Sequence, residues 1–295
     1  MIMGSEKRLT MMHIVMDSAG DLPEEWIKEY DIAVIPINVH LGEDVYLEDV
    51  NLNSNQFYHW VEEHGLVPKT SQPTPQQYIQ LYKAIAQPGE VILSIHLTSK
   101  LSGTYESAVL AARELEEEGY RVIPFDTLSG TGIQGYMCRE ARVMERAGAE
   151  LEEIIERLEE IRSGTEVIFT VDSLDFAQKS GRVKMLESIL ASLLQIKPII
   201  TLKEGTLAVA SKVRTRKASL EYIIQEMGQR MGEKLVNAAI IHAHDAVTAL
   251  EISERVEGLL NIKDFFIEEL SIGIATHLGP GTVGIVAYPV KEGVS

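Results

Sequence analysis

Hydroxyl-bearing residues gather where apolar runs end. Lys69-Thr70-Ser71-Gln72-Pro73-Thr74-Pro75 is stiffened by its prolines, and Thr98-Ser99-Lys100-Leu101-Ser102-Gly103-Thr104-Tyr105 follows the apolar run Val91 to Leu97 and opens a helical pattern. Ligands of α/β sheets sit beyond the carboxyl ends of strands, and helix N-termini favour anions. These segments therefore suit a carboxylate or a phosphate. Ordinary helix capping by Ser and Thr explains any one of them equally well, and Thr74 stands where it would cap the next helix. The clustering is what points to a ligand.

Other motifs carry less. Gly130-Thr-Gly132-Ile-Gln-Gly135 and Gly279-Pro-Gly281-Thr-Val-Gly284 both spell the dinucleotide-binding string. That string needs its glycines at the strand end, one helix, and then a strand with an acidic residue about 20 positions on. In the first, Asp126 to Ser129 intervene after the strand and two helical patterns follow; the second leads into a strand and lacks a helix N-terminus. His242-Ala-His244-Asp245 offers imidazoles that share a strand face, without an identifiable third metal ligand, so strand-end polar residues are the simpler reading. A Gly-x-Ser-x-Gly elbow and a Gly-x4-Gly-Lys-Ser/Thr loop are both absent from the sequence. His277 reads from the residues alone as a turn histidine bonded to backbone, with a proton partner for an acidic ligand as the alternative. Lys212, Arg214, Arg216 and Lys217 form a rare basic cluster, either a solvated hairpin end or a docking patch for an acidic or phosphate-bearing partner.

The elements that must position these residues alternate strand and helix. Strands are expected at His13–Met16, Ile32–Leu41, Val91–Leu97 and Arg121–Phe125. Helices are expected at Leu22–Tyr30 (capped by Asp21), Asn53–His64, Thr74–Ala86, Ser102–Glu118, Ile133–Arg146 and Glu150–Arg162. This rhythm with near-continuous apolar strands implies an α/β fold whose N-terminal sheet is mostly parallel and flanked by helices. After Ser163-Gly164 the pattern changes. Strand Glu166–Val171 and helix Lys184–Leu194 precede a hairpin, Lys197–Leu202 and Thr206–Ser211, turning at Glu204-Gly205. Helices Ala218–Met231 and Ala246–Leu259 then alternate with strands Asn237–His242, Asp264–Leu270 and Thr282–Val290. The expected organisation is an N-terminal α/β domain over residues 12–164 and a C-terminal α/β domain with a mixed sheet over 165–290.

Composition narrows the function classes. With 27 Lys and Arg against 44 Asp and Glu in 295 residues, the net charge is −17, which argues against nucleic acid and against adsorption to anionic membranes. Cys138 is the only cysteine, so intramolecular disulfides and multi-thiolate zinc sites are excluded. The N-terminus carries charges where a signal peptide needs its apolar core, and no apolar run approaches the ~18 residues of a membrane span. A cytoplasmic, soluble protein without stable membrane insertion is the expectation, with the first eleven residues a loose extension.

The ordered motifs resemble the DegV family of bacterial fatty-acid-binding proteins. The matching segments begin with Asp17-Ser-Ala-Gly-Asp-Leu-Pro23, Thr70 to Pro75, and Ser99 to Ala108. Asp126 with Ser129, Gly132 and Gly135 follow, then Ser180-Gly-Arg182, Lys197-Pro-Ile199, Lys203-Glu-Gly205, Val213 to Lys217, and His277-Leu-Gly-Pro-Gly-Thr-Val-Gly284. They run in order through effectively the whole chain. The Ser180 segment departs slightly, since many members carry a second glycine there. The resemblance implies two α/β domains with a long-chain fatty acid buried between them, no cofactor, and a carboxylate bound by Thr70 and Ser102 with His277 nearby. It further implies, for members that work with a separate ATP-dependent fatty acid kinase, phosphorylation of that carboxyl, with Arg182 and Arg214 tied to phosphotransfer or docking.

Physical chemistry agrees. The ~14 methylenes of a sixteen-carbon tail offer ~11 kcal/mol gross on burial at ~0.8 kcal/mol each, above the lower estimates of lost rigid-body freedom. The tail supplies affinity without a polar motif, so sequence patterns mark only the head group. A fatty-acid carrier that presents its carboxylate to a kinase is the leading reading. A dinucleotide-dependent oxidoreductase using Gly130–Gly135, and a lipid-binding transport or regulatory protein without a kinase, are the alternatives.

Overall fold

The computed structural model describes residues 12–181 and 196–291. Its first half runs β1 (Met12–Asp17), α1 (Glu24–Glu29), β2 (Ile32–Ile35), β3 (Asn38–Leu41), β4 (Asp44–Leu47), α2 (Ser54–His64), β5 (Lys69–Ser71), α3 (Pro75–Ile85), β6 (Val91–His96), α4 (Thr104–Glu116), β7 (Arg121–Asp126), α5 (Thr131–Arg146) and α6 (Leu151–Gly164). The second half runs β8 (Glu166–Thr170), α7 (Asp175–Ser180), β9 (Lys197–Lys203), β10 (Thr206–Val213), α8 (Arg216–Met231), β11 (Leu235–His242), α9 (Ala246–Leu259), β12 (Asn261–Glu269), α10 (Ile272–Leu278) and β13 (Val283–Pro289).

Strands β2-β1-β6-β7 form a wholly parallel sheet. Every residue of β6 is buried, because helices cover both faces of a parallel sheet. The second sheet, β10-β9-β8-β13-β11-β12, is mixed: its neighbours are antiparallel except β11 and β12. The α/β class and this pairing of a parallel with a mixed sheet are as the sequence implies.

Several local readings change. The expected strand Ile32–Leu41 is two strands in different sheets. Pro36 has no N–H for a ladder, so the chain leaves the parallel sheet after Ile35, and β3 enters a small antiparallel sheet, β4-β3-β5. Asp21 does not cap α1, whose N-cap position is Pro23; its carboxylate instead accepts the Ser271 N–H at 2.9 Å. The short helices α7 and α10 have too few turns to show periodicity. The expected helix Lys184–Leu194 and the N-terminal extension lie outside the described residues. Thr74 does cap α3, in a reciprocal arrangement with Gln77, and the hairpin turns at Glu204-Gly205 as expected.

Helix α5 binds the two large sheets into one core. Its Tyr136, Met137, Cys138 and Ala141 are fully buried, in a cluster with Ile14 of β1, Ile95 of β6, Ala239 of β11 and Phe266 of β12. The Tyr136 hydroxyl donates to the Ala238 carbonyl at 2.8 Å and the Asp264 carbonyl at 3.0 Å. Burial pushes the Cys138 thiol well above its ordinary range, so it behaves as a small apolar side chain rather than a nucleophile. Among the described residues, no helix is long and apolar enough to cross a membrane.

Candidate functional site

The carboxyl ends of β6 and β7, the strand β5 and the helix α10 converge on one cavity of about 140 Å³, closed by the face of the mixed sheet. Val167, Phe169, Leu202, Leu207, Ile241 and Val286 give it an apolar wall. Thr70, Ser102 and His277 all line it, together with Gln72, Thr98, Ser129, Thr131 and Thr282. None of the described lining residues is Asp, Glu, Lys or Arg.

Each polar residue is placed by its own segment. Strand β5 pairs with β3, and the Asn38 amide donates to the Ser71 and Gln72 carbonyls at 3.3 and 3.0 Å, which fixes the chain past Thr70. Ser102 precedes α4 rather than belonging to it. Leu101 and Ser102 turn back onto the Thr98 carbonyl, and the Ser102 hydroxyl lies 2.7 Å from that of Thr104 and accepts the Thr104 N–H at 3.3 Å. Gln72 packs on Gly103, where a Cβ would stand 2.7 Å from its side-chain amide nitrogen, so the Thr70 and Ser102 segments touch through a glycine. His277 comes from α10, and its Nε2 lies 3.0 Å from the Thr70 hydroxyl, 207 residues away. That partnership replaces the backbone-bonded turn histidine read from residues alone.

The hairpin β9–β10 reaches the same site. The Thr98 hydroxyl donates to the Gly205 carbonyl at 3.0 Å, and Gly205 holds φ +80°. Asp126 accepts the Ser99 and Leu128 N–H groups at 3.2 and 3.0 Å, so one carboxylate shapes the loops after both β6 and β7.

Two carboxyls lie behind the cavity. Burial lifts Glu48 to about 8, against the lowering effect of its hydrogen bonds with Ser18 and with α10 backbone. Burial also raises Asp21 well above the usual carboxylate range, with Glu48 adding to the shift. Sequence reasoning missed Glu48 and read Asp21 only as a local cap and a residue of a family segment, because the N–H groups they accept lie more than 200 positions away. Thr131 and Thr282 were legible only within glycine-rich strings, and Ser129 only as part of the family pattern.

The rejected motifs have packing roles. A Cβ at Gly132 would stand 3.2 to 3.3 Å from Ile241, Ala239 and Phe266, and one at Gly135 would stand 3.0 Å from the Asp21 carbonyl. These glycines let α5 approach β11, β12 and the Asp21 turn. His244 stacks on Tyr58 with ring centroids 4.4 Å apart, while His242 is held below its ordinary range by burial. Among the described residues there is no group of three side chains able to hold a metal. Arg214 is exposed and does not line the cavity, and Arg182 lies outside the described residues. Within the basic cluster, Arg216 is committed to Asp245 at 2.8 Å.

The α/β scaffold thus walls a largely apolar cavity and lines part of it with hydroxyls and an imidazole. The chain belongs to the DegV family: the family model described as "Uncharacterised protein, DegV family" matches residues 11–290. Protein DegV of Bacillus subtilis is 32% identical over 274 residues, covering 92% of this chain and 97% of that protein. A fatty acid-binding protein of Thermotoga maritima is 34% identical over 278 residues, covering 92% and 95%. A solved structure of a fatty-acid-binding DegV family protein from Thermus thermophilus superposes with a TM-score of 0.87 at 32% identity, covering 95% of this chain and 99% of that one.

Proposed function

We propose that this protein binds one long-chain fatty acid in the cavity, with its carboxylate at Thr70, Ser102 and His277 and its tail along the apolar wall. The observation that carries the reading is the Thr70–His277 pair at 3.0 Å in a cavity with an apolar wall, whose described lining holds neither Lys nor Arg. Neutral hydroxyls contribute about 1.5 kcal/mol each to a carboxylate, the low end for a bond to a charged group. An arginine pair would hold the head group harder but withdraw its electrons. Weak neutral donors leave the oxygens nucleophilic toward a phosphoryl donor. The protein is thus a non-catalytic, cytoplasmic carrier without a cofactor, and it presents the carboxyl to a partner ATP-dependent fatty acid kinase. Its two domains, residues 12–164 and 165–290, would hold the lipid at their junction. In support, the cavity draws lining residues from both stretches. Exposed Arg214 is free of the lipid wall and suits docking of the kinase or its phosphates; Arg182 shares that proposed role on the strength of the family motif alone.

Mass spectrometry of small molecules released by denaturing the purified protein tests the binding. A stoichiometric long-chain fatty acid is the expected result, and its absence together with failure to take up added palmitate would overturn the reading. Incubation of the loaded protein with a fatty acid kinase and labelled ATP then separates a presenter from a carrier that never meets a kinase. Label in an acyl phosphate supports presentation, and label nowhere refutes it.

A further inference from the structure

The first turn of α10 is gripped by carboxyls from two distant loops. Glu48, 1% exposed, accepts the Gly273 N–H through Oε1 at 3.1 Å and the Ser18 hydroxyl through Oε2. Asp21, 5% exposed, accepts the Ser271 N–H at 2.9 Å. The grip closes on itself: the Ser18 oxygen accepts the Ile37 N–H at 3.0 Å, and the Glu48 N–H donates to the Ile37 carbonyl at 3.2 Å. Gly273 has no room for a side chain, since a Cβ would stand 2.8 Å from Ile37 Cδ1 and 3.2 Å from Glu48 Oε2. One turn further along the same helix, His277 meets Thr70.

We propose that Glu48 and Asp21 are positioning residues that fix the start of α10 and thereby set the His277 imidazole against Thr70. A helix of seven residues has few backbone bonds of its own, so its orientation depends on what holds its ends. The leading N–H groups of a helix are unpaired, and carboxyl oxygens satisfy them. Burying carboxyls is costly unless they are hydrogen-bonded, and here Glu48 Oε1 and Asp21 Oδ1 accept from the start of one helix. Of the acidic groups around this pair, Asp49 is exposed and Glu268 and Glu269 are half-buried, and none of the three bonds an α10 N–H among the described contacts. This role rests on His277 facing the bound carboxylate, as proposed above.

The test compares Glu48→Ala, Glu48→Gln and Ser18→Ala by two readouts: NMR signals of the His277 ring nitrogens in lipid-free protein, and palmitate affinity. Glu48→Ala is expected to move the His277 signals and to weaken palmitate about tenfold, the scale of one lost hydrogen bond to a charged or strongly polar group. Glu48→Gln keeps an acceptor oxygen for the Gly273 N–H and is expected to recover both readouts. Should Glu48→Ala fail to fold, Ser18→Ala removes one of the carboxyl's partners with the core intact and is expected to move the His277 signals in the same direction. Unchanged His277 signals in a folded Glu48→Ala or Ser18→Ala protein overturn the proposal. Moved signals with unchanged palmitate affinity uphold the positioning and count instead against His277 as a head-group contact.

Discussion

Replacing Thr70 with Val and Ser102 with Ala removes both hydroxyls while leaving the apolar wall untouched. Each side chain is only half-buried, and valine keeps the shape of threonine, so the fold should tolerate the pair. Two hydrogen bonds to a charged carboxylate, at about 1.5 kcal/mol each, amount to about 3 kcal/mol, or about 150-fold in Kd. The tail's gross contribution, ~11 kcal/mol for a sixteen-carbon chain, is unaffected. Lipid therefore still binds the double variant, but it binds with little regard for its head group. Competitive displacement of a fluorescent fatty acid by palmitate and by its methyl ester measures this directly. Wild type should prefer the acid, and the variant should lose about 150-fold in palmitate affinity with little change for the ester. Equal losses for acid and ester, or an unchanged preference for the acid, would refute the assignment of the carboxylate to these hydroxyls.

Gly205→Ala should destabilise the protein and loosen the hairpin, because Gly205 sits at φ +80° and its added methyl would collide with the Thr98 hydroxyl; Gly130→Ala should be neutral or stabilising, since that residue is extended and the methyl would rest 3.6 Å from Leu97. Urea unfolding of both variants checks the contrast. Folded Glu48 titrates at about 8 against 4.5 for an ordinary glutamate, so the native state holds a proton that the unfolded chain releases. Stability from this group is full below the unfolded value and declines as pH rises through about 8, with Asp21 adding in the same direction. Chemical denaturation across that window should show a falling stability for wild type and a flatter profile for Glu48→Gln.

Much of the fold was legible because its signals are local. The apolar run Val91–Leu97 and the capping pair Thr74 and Gln77 each announce an element from neighbouring residues. Where a single residue redirects the chain, the reading failed: Pro36 divided an apparently continuous β-branched run between two sheets. Asp21 likewise looked like a local cap and is bonded instead to Ser271. A polar side chain chooses the nearest geometrically suitable partner in space, and sequence distance does not enter that choice.

The amino-acid sequence alone determined the α/β class, the hydroxyl-rich segments beyond the strand ends and, through ordered motifs, the family. The first two follow from periodicity and composition, which act over a few residues at a time; the family rests on the resemblance of the ordered motifs. Only the tertiary structure decided that Thr70 meets His277, that the Gly132 and Gly135 positions serve helix packing, and that Glu48 and Asp21 anchor the helix between them. Those pairings join segments from about 100 to 250 residues apart, and they exist because burying the apolar faces of the sheets and helices brings distant segments to one place.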